Sequence, residues 1–346
     1  MERAAYRIVD ANFNRAREAF RVMEDIARFC LNSAPMSSRA KSLRHELCAI
    51  VGVLDNRFLL ASRDTPGDAG TTVRVENQLS RSNLPDCLTA ASRRAVEALR
   101  VLSETIQALD HTLAARLEGV RYACYTLEKD ITLAFHTRGR IAGIRLCVLI
   151  SSSLPADIFR LTSQCCKGAA QCLQLRAKNL PDAHLLAVAS EFVAICRQHG
   201  VISIINDRAD VAVAAGADGV HLGQDDLPTA AVRKLQLSPL IVGRSTHDTV
   251  QLQRAIEEGA DYVGIGPVFA TQTKPDAEVA GLDYLRQAVP MLTEAGILGL
   301  AVGGITLENL RQVRSAGAAA IAVSAAIISS PDPTAACKLF ASQLLE

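Results

Sequence analysis

The chain has 346 residues, with 37 Lys plus Arg against 36 Asp plus Glu. That length exceeds a typical single domain, so one large domain with an appendage, or two domains, is expected. The balanced charge supplies no global field for nucleic acid or an anionic membrane, so any anion selectivity must come from a local cluster. The opening stretch MERAAYRIVDANFNRARE is charged from its second residue, and the longest apolar runs, 145–151 and 318–328, are too short to span a bilayer. A cytoplasmic protein is expected. Ten cysteines are scattered through apolar segments without paired CxxC spacing, in a chain large enough not to need staples, and read as reduced core residues. Adjacent Cys165 and Cys166 suit neither a disulfide nor zinc.

Residues 1–136 carry helical spacing and almost no β-type alternation. Phe20, Met23, Ile26 and Ala27 fall on one face, as do Ala98, Leu99, Leu102 and Ile106. This half is expected to be an all-α helical domain with an internal two-fold repeat. NRAREAFRVMEDI (14–26) aligns without gaps on RRAVEALRVLSET (93–105), and LRHEL (43–47) lies at a similar offset from VRYAC (120–124), so two helical hairpins are the simplest account. Between them SRDTPGDAGTT (62–72) holds two Gly and a Pro and cannot be helix interior. TRGRIAG (137–143) reads as a linker.

From 144 to 346 the pattern is short β-branched or apolar runs separated by amphipathic helices. The runs are 144–151, 170–178, 201–207, 219–223, 240–245, 262–269, 298–305 and 320–326. Eight strand–helix units in about 205 residues predict a closed (β/α)8 TIM barrel of the α/β class. A Rossmann-like sheet is the alternative, but no GxGxxG follows a first strand.

In such a barrel chemistry sits where strands end. The second run ends in Gln174, Arg176 and Lys178, alternate residues that aim two cations at one spot, suited to a polyphosphate or else merely a solvated strand end. The third ends in Asn206, Asp207 and Arg208, and Gln224, Asp225 and Asp226 follow the fourth. Asp207 and Asp226 beside a basic cluster are a fit for Mg²⁺, which takes a few protein oxygens and completes its octahedron with water and phosphate. Asp226 could equally be a helix cap before Leu227 and Pro228. His221, inside the fourth run, reads as a core or second-layer histidine rather than a ligand. Ser245, Thr246 and His247 end the fifth run, and GPVFATQTK offers Thr271, Thr273 and Lys274 in a loop long enough to fold over a ligand. Gly303 and Gly304 end the seventh run and Val323 and Ser324 the eighth, the place where this barrel commonly binds phosphate through free backbone N–H groups, although a Gly pair can also serve only a tight turn. Together these residues read as two anion sites, a diphosphate at Arg176, Lys178, Lys274 and Mg²⁺ and a monophosphate at Gly304 and Ser324. No Ser-His-Asp triad or reactive-cysteine context is present. Charges concentrated on a leaving diphosphate imply ionisation at carbon, assisted electrostatically.

The ordered series QLRAK, INDRADVAVAAGADGVHLGQDDLP, VGRSTH, GADYVGIGPVFATQTK, VGGI and AVSAAI closely resembles the thiamin phosphate synthase family over about 200 residues. The resemblance implies that Gln174, Arg176, Lys178, Asn206, Ser245 and Lys274 bind 4-amino-2-methyl-5-(diphosphooxymethyl)pyrimidine and that Asp207 and Asp226 hold Mg²⁺. Thr271, Thr273, Gly304, Val323 and Ser324 are implied to hold 4-methyl-5-(2-phosphoethyl)thiazole. The implied reaction is dissociative: pyrophosphate leaves, a pyrimidine methylene cation forms, and the thiazole nitrogen attacks it. Catalysis would rest on Arg176, Lys178 and Lys274. Thiazole tautomerases share much of this pattern but lack the full diphosphate set, and a silent thiamin phosphate-binding protein is a further alternative. The helical half resembles, over DANFNRAREAFRVMEDIARF and RDTPGDAG, a domain often fused upstream of these enzymes and proposed as a hydroxymethylpyrimidine phosphate kinase, yet it has no GxxxxGK[ST] loop. Its polar residues, among them Arg17, Glu18, Arg21, Arg44, Glu97, Arg100 and Arg121, could line a cleft or form buried salt bridges that fix helix register. The expected partners are small molecules, with no nucleic acid and no membrane; oligomeric state stays open, a homo-oligomer included.

Overall fold

The structure is a computed structural model describing residues 2–71, 80–178, 180–235, 240–271 and 278–345. It divides into two compact units, Met1–His136 and Thr137–Glu346.

The first unit is helical: α1 (Glu2–Asp25), α2 (Ala34–Val51), α3 (Asn56–Ser62), α4 (Leu84–Gln107) and most of α5 (His111–Ile141), with a π turn at Ile26–Cys30 extending α1. Ser33 caps α2 by accepting from Met36 N, and Asn83 caps α4 by accepting from Asp86 N at 2.9 Å, each followed by a Pro in the first turn. The packing centre is α1 against α4. Positions matched by the sequence repeat are buried in both helices: Val9 and Leu88, Ala16 and Ala95, Ala19 and Ala98, Phe20 and Leu99, Met23 and Leu102. Alanines at four of these positions let the helix backbones approach closely. Many of the unit's charges are spent on each other. Buried Glu24 accepts from Arg44 at 3.1–3.2 Å and faces Arg21, while Glu118 pairs with Arg121 at 2.6 Å and with Arg100 at 3.8 Å. The Arg121 guanidinium holds the Glu118 carboxyl below the usual carboxylate range. Arg63 grips Asp10 with two hydrogen bonds of 2.7 and 2.8 Å.

The second unit is a closed parallel barrel, β1 (Leu146–Ile150), β2 (Cys172–Leu175), β3 (Ile202–Asn206), β4 (Gly219–Leu222), β5 (Ile241–Thr246), β6 (Tyr262–Ile265), β7 (Leu298–Val302) and β8 (Ile321–Val323), each paired with its sequence neighbour and β8 with β1. Helices α6 (Pro155–Lys167), α7 (Asp182–Gln198), α8 (Ala209–Ala215), α9 (Thr229–Val232), α10 (Thr249–Glu257), α11 (Gly281–Ala295), α12 (Leu310–Ser315), α13 (Ala325–Ile328) and α14 (Pro333–Leu345) complete it. Except for β5, the strands are shorter than the apolar runs, whose ends leave the ladder for the loops. Outward side chains such as Val148, Leu173, Val220 and Val263 join the helices in one core, and inward ones such as Cys147, Cys172, Ile204, Ile241 and Leu300 fill the barrel. All ten cysteines are free thiols; most are buried, Cys147 and Cys172 touch inside the barrel at 3.5 Å, and Cys30 is exposed.

Residues 137–143, which read as a linker, are helical through Ile141 and close the barrel floor. Ile141 and Ile144 belong to the barrel-interior cluster. Thr137 donates to Asp261 at 2.9 Å, and Arg140 pairs with Asp218. The same two carboxylates accept the Val242 and Ser203 amides at 2.8 Å, tying the segment to the amino ends of β5 and β3. Thr137 and Ile141 are buried, while Gly139 and Gly143 stay exposed. Ile141→Ala should lower barrel stability by about 2–4 kcal/mol through a cavity under the floor, read as a lower urea midpoint of the full chain by circular dichroism.

Candidate active site

The carboxyl ends of the strands enclose a cavity of about 510 Å³. On the β2–β5 side its wall is polar. Gln174, buried inside β2, donates from Nε2 to Asn206 Oδ1 at 3.1 Å, and Arg176 lines the cavity one residue beyond β2, its amide still bonded to Ile150 O at 2.9 Å. Just outside this wall the carboxylates of Asp207 and Asp226 meet. Asp207 has φ +64°, in the left-handed region that Asp tolerates better than most residues, and its amide donates to His221 O at 2.7 Å. Asp226 Oδ2 accepts from Gly223 N at 2.6 Å, and Lys178 Nζ lies 3.1 Å from Asp207 Oδ2. Burial raises the Asp226 carboxyl above its ordinary range; the Gly223 N–H opposes this, and the neighbouring Asp207 carboxylate adds to the rise.

The floor of the cavity is built around a missing side chain. Pairing aligns His221, Gly243 and Tyr262 on adjacent strands, and a Cβ on Gly243 would overlap the Tyr262 ring. Without it the phenol crosses β5 to reach His221 Nδ1 at 3.1 Å, while His221 Nε2 meets Ser245 Oγ at 2.9 Å. Burial pushes the Tyr262 phenol well above its usual range, so it stays neutral. Gln224 Nε2 donates to Ser245 O at 2.5 Å, which ties the loop carrying Asp226 to the same serine.

The β6–β8 side is glycine-rich backbone. Gly303 and Gly304 have φ +103° and +61°, and a Cβ on Gly304 would collide with the Ala270 carbonyl, so the two loops pack backbone to backbone. Asn309 fixes the turn by donating to Gly304 O at 2.8 Å and accepting from Thr306 N at 2.9 Å. Ser324 Oγ donates to Leu149 O at 2.9 Å. Ala325 and Ala326 line the cavity in the first turn of α13, where amides have no intrahelical acceptor.

Residues 146–327 match the family described as thiamine monophosphate synthase, and residues 7–130 match the ThiD2 family. The chain is 39% identical over 330 residues to the thiamine-phosphate synthase of Thermosynechococcus vestitus, covering 95% of this chain and 92% of that one. It is likewise 39% identical over 332 residues to that of Gloeobacter violaceus, 96% and 94% being covered. The thiamine monophosphate synthase family is therefore its own. The chain belongs to it. Among solved structures, the thiamine phosphate pyrophosphorylase from Pyrococcus furiosus superposes with a TM-score of 0.54 at 30% identity, covering 60% of this chain and 99% of that one.

Of the residues the family resemblance singled out, Gln174, Arg176, Asn206, Ser245, Thr271, Gly304, Val323 and Ser324 line the one cavity. Lys178, Asp207 and Asp226 cluster beside Asn206 at its edge. Thr273 and Lys274 lie outside the described residues. Arg176 and Lys178 are not strand residues, since β2 stops at Leu175, and only Arg176 of the two faces the cavity. Sequence reasoning did not place Tyr262 or Thr306 in the cavity lining, and it set His221 aside. The signal was available: a glycine inside the strand LIVGRS marks a close approach by a large neighbour.

Gly304→Ala should keep the barrel folded while raising KM for a phosphate-bearing substrate roughly ten- to a hundredfold, because the turn must shift away from Ala270. Steady-state kinetics with circular dichroism as the fold control checks this.

Proposed function

We propose that this cavity is where a pyrimidine diphosphate and a thiazole phosphate are joined to thiamin phosphate with release of pyrophosphate, the transferase reaction of the chain's family. The observation that carries the reading is that one cavity has two unlike walls, Gln174, Arg176 and Asn206 beside the Lys178–Asp207–Asp226 cluster, and glycine backbone with helix-turn amides at β7–β8.

The pyrimidine is assigned to the first side. The Gln174–Asn206 hydrogen bond consumes the Gln174 amide and the Asn206 carbonyl. It leaves Gln174 Oε1 as an acceptor and Asn206 Nδ2 as a donor, complementary to an exocyclic amino group and a ring nitrogen. Ser245, oriented by His221, completes the pocket. Arg176 and Lys178 neutralise the diphosphate, with Lys274 joining them, so that the carbon–oxygen bond breaks with its electron pair on pyrophosphate. The thiazole phosphate is assigned to the second side, its phosphate on Gly304, Ser324 and the first-turn amides of α13, with Thr271, Thr273 and Val323 against the ring. From there the ring nitrogen attacks the methylene cation, forming the new carbon–nitrogen bond without net proton transfer.

Asp207 and Asp226 fit Mg²⁺. They are adjacent hard-oxygen donors, and among the described residues no third His, Cys, Asp or Glu joins them, so water and diphosphate oxygens would supply the remaining ligands. When bound, Mg²⁺ supplies electrostatic stabilisation of the departing diphosphate. Among the described residues no helix is long and apolar enough to cross a membrane. Asp207→Asn preserves the left-handed backbone and should cut pyrophosphate release by roughly a hundredfold or more while abolishing Mg²⁺ dependence. A chain that only bound thiamin phosphate would release no pyrophosphate from the two substrates in either form.

The helical unit carries a second reading, phosphorylation of the pyrimidine monophosphate. Glu24, Arg44, Glu118 and Arg121 are held in ion pairs and serve helix packing. Glu18 and Glu97, exposed at equivalent repeat positions, and exposed Arg17 are not among these pairs. Full chain given pyrimidine monophosphate, ATP and thiazole phosphate should make thiamin phosphate if the unit is a kinase, and none if it only packs.

A further inference from the structure

We propose that Lys178 is the resting counter-cation of the Asp207–Asp226 pair and leaves Asp207 when a diphosphate and a divalent cation arrive, coupling metal binding to diphosphate binding. This rests on the reading of Asp207 and Asp226 as the metal site.

Three observations converge on Lys178 as the group that moves. The first is its position, with Nζ 3.1 Å from Asp207 Oδ2. A divalent cation bound to that carboxylate would sit beside an ammonium group, and the repulsion between the two must be relieved by displacement of one of them. The second is that both acids are anchored, Asp207 by its backbone and Asp226 by its carboxylate. The Asp207 main chain is fixed by its left-handed φ of +64° and by the amide bond to His221 O, and Asp226 is held by Gly223 N at 2.6 Å. The third is that Lys178 is free to swing. It lies in the loop three residues past the end of β2, and half of its side chain is exposed on a flexible four-carbon stem.

Arg176, two residues earlier, faces the cavity, so a diphosphate held there is within reach of the same loop. The diphosphate offers Lys178 a new anionic partner at the moment the metal takes its old one. By linkage the coupling is reciprocal, so each ligand raises the affinity for the other. The lysine thereby disfavours a metal ion bound without substrate.

The test is Mn²⁺ binding to the full-length protein without substrates, followed by electron paramagnetic resonance of free Mn²⁺. Lys178→Met should bind Mn²⁺ tighter than the natural protein, on the order of tenfold for removal of one nearby positive charge. Lys178→Arg, which keeps the charge, should bind like the natural protein. Inorganic pyrophosphate should strengthen Mn²⁺ binding less in Lys178→Met than in the natural protein. Equal or weaker Mn²⁺ binding by Lys178→Met, with Asp207→Asn still losing the ion, overturns the role of Lys178 and leaves the metal site standing. Failure of every form to bind Mn²⁺, with or without pyrophosphate, overturns the metal site and this proposal together. Thermal unfolding of each variant serves as the fold control.

Discussion

The barrel depends on one geometric constraint, the alternation of side chains along strands closed into a ring. Each strand has two sets of residues, and closure forces one set inward whatever its chemistry. Towards the amino ends the inward set is apolar, with Cys147, Cys172, Ile204, Ile241 and Leu300, sealed from below by Ile141 and Ile144. One step towards the carboxyl ends the inward set becomes Gln174, Asn206, His221 and Ser245. The transition from core to site therefore needs no special element. It is a change of residue type at the next inward position of strands already fixed by packing, and the outer helices hold the register that keeps polar groups inside.

On the proposed assignment, the two halves of the cavity would recognise anions by different physics. On the β2–β4 side the groups are charged side chains at strand ends, Arg176 and Lys178 with Asp207 and Asp226, whose net field depends on what is bound. On the β7–β8 side recognition falls to backbone: a turn at Gly303 and Gly304 that admits no Cβ, and amides that a short helix leaves without acceptors. Dipoles of this kind suit a phosphate that must be held but not expelled. Mobile charges suit a diphosphate that must leave. Leu149, Leu300 and Ala322 add apolar side chains to the cavity lining, which on the proposed reaction would limit water near a cation formed at carbon.

The fold was legible because its signals are local. Eight apolar runs at regular spacing require strands, and the burial of Phe20 with Leu99 and of Met23 with Leu102 follows a repeat readable by aligning the chain on itself. Elsewhere the sequence misled where a local signal met a tertiary one. TRGRIAG has the composition of a linker, yet Thr137, Arg140 and Ile141 each find a partner on the barrel floor. QLRAK has the alternation of a strand, yet the ladder ends at Leu175. His221 was readable as a core residue, and its two hydrogen bonds are those of a satisfied core histidine. That His221 is also cavity wall depends on which neighbour fills the space left by Gly243; the glycine is visible in LIVGRS, its pairing with Tyr262 only in the barrel.

The acidic pair and Lys178 are held by different means. Asp207 is held by its own main chain, which takes a conformation costing of order 1 kcal/mol for a residue with a Cβ and persists because surrounding bonds over-determine it. Such strain is sustainable beside strand ends, where the His221 carbonyl offers a rigid acceptor. Lys178 is held differently, by a half-exposed side chain whose Nζ pairs with Asp207 at 3.1 Å from a loop beyond β2. Rigid acids beside a mobile base make an arrangement in which cations are exchangeable and their seat is not. A site that must take up a diphosphate as a substrate and give it up as a product requires that asymmetry, because pre-organised anions fix where the positive charge gathers while mobile cations let the product go.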